Sequence, residues 1–199
     1  AVGNSAIAVT QVKEEVNRML DMVAKNIGDA FDTLIKYNDK SRKKVEEREE
    51  YIDYLNKGIS EYIVSLMAGE MNADDSRKIN GYYAIISNLE RIGDHATNIA
   101  GYADDMKKWD LKFSDTVLDE LEEMKKQCIT CLENVKNVDS SDTGRVLSQA
   151  EVLEQKTDDM RDKYFKKQMQ RLKKGKCNPQ SGIVFSEVLT DFERMGDHS

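Results

Sequence analysis

Apolar residues recur along most of the chain at steps of three and four. The first run is Val16, Met19, Leu20, Val23, Ile27, Ala30, Phe31, Leu34 and Ile35. Such a stripe down one face predicts an amphipathic helix. Thr10 is its expected cap, and Tyr37-Asn38-Asp39 its end. A second helix is expected from about Ser41 to near Gly69, with Val45, Ile52, Leu55, Ile59, Ile63 and Leu66 inward. The polar stretch Asn72 to Ser76 reads as a turn. A third helix follows with Ile79, Tyr82, Tyr83, Ile86, Leu89, Ile92, Ala96, Ile99 and Ala103 on its stripe. Met106 to Ser114, which holds the single tryptophan Trp109, reads as a connector. The fourth helix is expected from Asp115 to Val138, the turn at Asp139-Ser140-Ser141-Asp142, and the fifth helix from Thr143 to Lys174. Lys173, Lys174 and Gly175 suit a helix end, with cations on the negative dipole end and then a glycine stop. Asn178-Pro179 suits the start of a sixth helix, asparagine as cap and proline in the first turn. That helix is expected to be cut short at Ser199.

The pattern predicts an all-α protein. One proline in 199 residues agrees with it, because proline interrupts helices. Charged residues make up 34% of the chain and hydrophobic ones 39%, which suits helices polar outside and apolar within. The formal net charge of -7 argues against a nucleic-acid partner, which would call for a basic surface. The lysines from Lys163 to Lys176 read as a solvated face. No apolar run approaches the ~18 residues needed to span a bilayer. Three cysteines without framework spacing do not form a disulfide scaffold. The lone Cys128-Ile129-Thr130-Cys131 reads as two small core residues.

The third and sixth helices share a string. Glu90-Arg91-Ile92-Gly93-Asp94-His95 and Glu193-Arg194-Met195-Gly196-Asp197-His198 are the same Glu-Arg-x-Gly-Asp-His, 103 residues apart. The second and fifth helices match too, Glu49/Asp53 with Glu154/Asp158, at an offset of 105. The chain is therefore an internal repeat of one three-helix unit, with units expected at 1–109 and 110–199.

Residues four apart share a helix face, and two carboxylates there repel by a few tenths of a kcal/mol in an isolated helix. Four such pairs ask for a compensating cation. Asp53 lies about 24 Å above the second helix's end, at ~1.5 Å per residue, and Glu90 about the same height up the third. The acidic pairs of an antiparallel hairpin therefore come level. Clustered oxygen ligands suit Mg²⁺, Ca²⁺, Mn²⁺ or iron, and can take zinc. The candidate metal ligands are Glu49, Asp53, Glu90, Asp94, Glu154, Asp158, Glu193 and Asp197. Arg91 and Arg194 are expected in structural pairing, and His95 and His198, the only histidines, in packing or support beside the ligands. A ferritin-like di-iron centre is disfavoured, because that chemistry uses glutamate and histidine at i, i+3, whereas Glu90 and His95 are five apart.

At these motifs the chain resembles the PhoU family. Glu-Arg-x-Gly-Asp-His followed by Ala96-Thr97-Asn98-Ile99-Ala100 is similar to that family's third-helix signature, and the resemblance covers nearly the whole chain. It implies two three-helix repeats, multinuclear metal on the acidic motifs, and a non-enzymatic role in restraining phosphate uptake or signalling. Ala6-Ile7-Ala8-Val9, with Val16 and Met19 after it, resembles the junction before the PhoU-like tail of Na⁺/phosphate cotransporter-related proteins. That narrower resemblance implies a cytoplasmic domain tethered to the inner face of the plasma membrane through upstream transmembrane helices. The free-standing PhoU regulator and a metal-free helical scaffold are the alternatives. Implied partners are a transporter domain of the same chain or the phosphate-transport machinery, phosphate itself, and a second copy in a homo-oligomer.

Overall fold

Six α-helices follow one another in the computed structural model, which describes residues 2–136 and 143–198. They are α1 (Val2–Ile35), α2 (Asp39–Met67), α3 (Ala73–Lys108), α4 (Asp115–Glu133), α5 (Thr143–Lys173) and α6 (Pro179–His198). No strand occurs among the described residues. The fold is all-α, with three helices in each of two tandem units.

Side-chain caps set most helix starts. Asn38 accepts from the Ser41 amide at 3.0 Å, and Asn72 from that of Asp75 at 2.8 Å. Ser114 does the same for Val117 at 3.4 Å, and Asn178 for Gln180 at 2.8 Å. Each cap satisfies an amide that the first helical turn leaves without a partner. Gly175, at φ 65°, ends the turn after α5, and the Lys176 amide returns to the Arg171 carbonyl at 3.0 Å. Glycine is the residue that takes this left-handed stop without strain.

Four boundaries differ from the expected ones. The third helix begins at Ala73, inside the expected Asn72 to Ser76 turn, because Asn72 caps it. Thr10 does not cap α1, which begins at Val2, and its hydroxyl donates within the helix to the Ala6 carbonyl at 3.1 Å. The added turns are held from outside: Ser5 donates to Asp75 on α3, and Ala8, Val9 and Val12 are buried. The third helix continues to Lys108, into the expected connector, and leaves Trp109 exposed. The fourth ends at Glu133 rather than Val138, and Asn134 then donates to the Val146 carbonyl of α5 at 3.2 Å. The expected turn at 139–142 lies outside the described residues.

One hydrophobic core runs through both units. Met19, Leu20, Val23, Ile27 and Phe31 of α1 are buried in it, and α1 packs on α2, α3 and α4. The units also join through α3 and α6. Helices in equivalent places of the repeat therefore pair with each other across the interface. Cys128 and Cys131 are buried thiols of α4 outside any disulfide, and burial pushes the Cys128 thiol well above its usual range. Glu120 of α4 takes a two-pronged pair from Arg171 of α5, at 3.0 and 2.9 Å, which ties the second unit together.

Candidate metal centre

The acidic motifs of α2 and α3 meet at one height, as the hairpin register requires. Glu49, Asp53 and Asp94 each bring a carboxylate oxygen to within 4.8 Å of the others. Glu49 comes from the half-buried flank of α2, whereas Asp53 and Asp94 are exposed. Gly93 makes the room: a Cβ there would stand 3.2 Å from Glu49 Oε2 and 4.0 Å from Ile52 Cγ2. Glu49 Oε2 is sheltered from solvent and has no hydrogen-bond partner. Burial, then the Asp53 charge, then Asp94, push the Glu49 carboxyl up to about 8. Asp53 is also raised, by burial first and then by the Asp94 charge. Three carboxyls at this distance cannot all ionise cheaply without a positive charge among them.

Glu90, the fourth member of the first unit's set, accepts from Asn56 Nδ2 at 2.9 Å. The sequence had no signal for Asn56 short of aligning the repeats residue by residue. That alignment places Arg161 of α5 where Asn56 lies on α2. Arg161 Nε lies 3.3 Å from Glu193 Oε2 without making a hydrogen bond, so the same position of the facing helix sets a neutral donor on one glutamate of the shared string and a charge beside the other. Glu154 and Asp197 are exposed and Asp158 is half-buried. Among the described residues, the triad of Glu49, Asp53 and Asp94 is the only converging group of metal-ligating side chains.

The arginines and histidines of the string fare differently. Arg91 and Arg194 are exposed. His95 points across the unit boundary, with Nδ1 2.7 Å from Asp191 Oδ1 on α6. Asp191 also accepts from Tyr102 at 2.6 Å and Asn98 at 3.2 Å. It is 3% exposed, and these bonds offset the cost of burying its carboxylate. Burial and the bond to Asp191 push the Tyr102 hydroxyl upward. The His198 side chain lies outside the described residues. A groove of about 700 Å³ between α1 and α2, lined by Tyr54, Leu55, Ile59 and Tyr62 among others, does not include the triad.

The model of the PhoU domain family matches residues 16–103. A Thermotoga maritima protein named phosphate-specific transport system accessory protein PhoU homolog 1 is 26% identical over 192 residues, covering 96% of this chain and 82% of its own. An Aquifex aeolicus PhoU homolog is 36% identical over 91 residues, or 45% of this chain and 41% of the relative. The crystal structure of PhoU from Pseudomonas aeruginosa superposes with a TM-score of 0.86 at 19% identity, over 97% of this chain and 92% of that one. That of the phosphate transport system regulatory protein PhoU from Streptococcus pneumoniae gives 0.80 at 17% identity, over 98% and 90%.

These matches correct the expected membrane tether. The relative that aligns with almost the whole chain is named an accessory protein of a transport system. The relatives support an accessory protein of phosphate-specific transport rather than the cotransporter tail with its membrane tether. Among the described residues, no helix is long and apolar enough to cross a membrane.

Proposed function

We propose that the chain is a PhoU-family protein, a free-standing accessory protein that restrains phosphate uptake by a phosphate-specific transport system. The observation that carries this reading is the alignment with the Thermotoga maritima accessory protein over 96% of the chain. The protein works by docking on transport machinery and holding cations, with no reaction of its own. Residues 1–109 and 110–199 are its two repeats.

The carboxylates Glu49, Asp53 and Asp94 are the metal ligands of this reading. Their fit is supported by the orphaned Glu49 Oε2, sheltered in the slot beside Gly93. An all-oxygen donor set suits Mg²⁺, Mn²⁺ or iron, and accepts zinc. A bound cation supplies positive charge and open coordination positions that a phosphate oxygen can take. The chain's own part is to gather the oxygens, shelter one side of the group and leave the Asp53 and Asp94 side open to solvent.

Expression in bacterial cells that lack their own PhoU accessory protein tests the reading. Phosphate uptake at high external phosphate should fall when this chain is supplied. Unchanged uptake, with the chain expressed and folded, would contradict it. Restored restraint by a Glu49→Gln/Asp53→Asn/Asp94→Asn variant would favour the metal-free scaffold.

A further inference from the structure

The two repeats carry the same acidic motifs, yet only the first gathers its carboxylates into a triad among the described residues. Two substitutions within the repeat account for the difference. In the first unit Asn56 holds Glu90 and brings no charge. Its equivalent in the second, Arg161, brings a full positive charge to within 3.3 Å of Glu193. Arg161 also lies 5.1 Å over the Phe165 ring and 3.3 Å from Asp162 Oδ1 on its own helix.

The second difference is steric. Beside Gly93 the slot is occupied by the Glu49 carboxylate, with Ile52 Cγ2 at its edge. Thr157 stands at the position of Ile52, and its Cγ2 lies 2.6 Å from where a Cβ of Gly196 would be. The threonine methyl therefore fills the space that the first unit gives to a carboxylate. Thr157 is locked there: its hydroxyl donates to the Leu153 carbonyl at 3.0 Å and accepts from Gln127 at 3.2 Å. Glu154, the counterpart of Glu49, stays exposed.

We infer that the second unit carries a cation of its own, the Arg161 guanidinium, in place of a metal ion, so that metal is held by the first unit alone. The inference rests on the metal reading of the first unit given above. It makes the repeats unequal: one has a centre that can fill and empty, the other a fixed charge that cannot leave. Arg161 and Thr157 are the residues that set this difference, the first by supplying the charge and the second by closing the slot.

Counting bound Mn²⁺ tests this. The full chain is stripped with chelator and titrated with Mn²⁺ alone, and free Mn²⁺ is read by electron paramagnetic resonance. Asp158→Asn/Asp197→Asn should keep the wild-type stoichiometry, with Kd within about twofold, whereas Glu49→Gln/Asp94→Asn should weaken binding at least about 10-fold. Thr157→Ala/Arg161→Asn, folded by circular dichroism, should bind more Mn²⁺ than wild type. A lower stoichiometry in Asp158→Asn/Asp197→Asn would overturn the inference while leaving the first-unit reading intact. So would the absence of any gain in Thr157→Ala/Arg161→Asn. A wild-type chain that binds no Mn²⁺ would overturn both.

Discussion

Glu49 and Gly93 face each other across the α2–α3 hairpin, with the glutamate's Oε2 3.2 Å from the place a Cβ would take on the glycine. A glycine inside a helix costs about 1 kcal/mol relative to alanine, so the slot is kept at the expense of local helix stability. Gly93→Ala should therefore raise the stability of the metal-free protein by about 0.5–1 kcal/mol, once the flexible carboxylate shifts aside. The same change should weaken Mn²⁺ binding about 10-fold, because it moves a ligand. The equivalent Gly196→Ala should act in the opposite direction on stability. Its Cβ would meet the fixed Thr157 methyl at 2.6 Å, and overpacking of this kind costs about 1–3 kcal/mol. Urea unfolding of the two variants checks the difference in sign.

Protonation of Glu49 makes the metal-free fold sensitive to pH. Its carboxyl lies near 8 in the fold, against 4.5 for the free group, so the folded chain binds more protons than the unfolded chain between those values. Its contribution is fully present below about pH 4.5 and is lost as pH rises through about 8. The melting temperature of the chelated protein should fall across that window. Glu49→Gln, which cannot ionise, should flatten the fall and be the more stable form at pH 8. Thermal melts from pH 5 to 8 with and without chelator measure this, and saturating Mn²⁺ should remove the difference by stabilising the ionised carboxylate.

Asp191 binds the two units through one buried carboxylate. Asp191→Ala would leave His95, Asn98 and Tyr102 without their shared acceptor at the α3–α6 contact. The expected cost is about 2–3 kcal/mol, as for loss of hydrogen bonds to a buried charged group. Chemical unfolding reads this directly. Replacing an exposed carboxylate such as Glu187 on the same helix should change stability by less than about 0.5 kcal/mol.

The helical stripes and the repeat were legible because both are written in spacing. Nearly every residue on the expected stripes is buried or packed against the core, and the register that levels Asp53 with Glu90 also brings Glu49 and Asp53 to Asp94. The start of α1 was not legible, because the hold on its first turns comes from Asp75, far away in sequence. Nor was the inequality of the repeats. Motif matching sees the shared Glu-Arg-x-Gly-Asp-His, whereas the outcome at each site turns on Asn56 against Arg161 and Ile52 against Thr157, on a different helix and outside the motif. The link from His95 to Asp191 was hidden for the same reason: a helix face shows where a side chain points, and only the packing of the units shows what it meets.

Metal-free protein titrated calorimetrically with Mn²⁺ at pH 7, in buffers of different ionisation enthalpy, tests the central claim most directly. Metal ligands must be deprotonated to bind, and Glu49 is largely protonated at that pH with its carboxyl near 8. The account predicts saturable binding with release of about one proton, both lost in Glu49→Gln/Asp53→Asn/Asp94→Asn. Mn²⁺ binding that this variant leaves unchanged, or no binding by the wild-type chain, would contradict it.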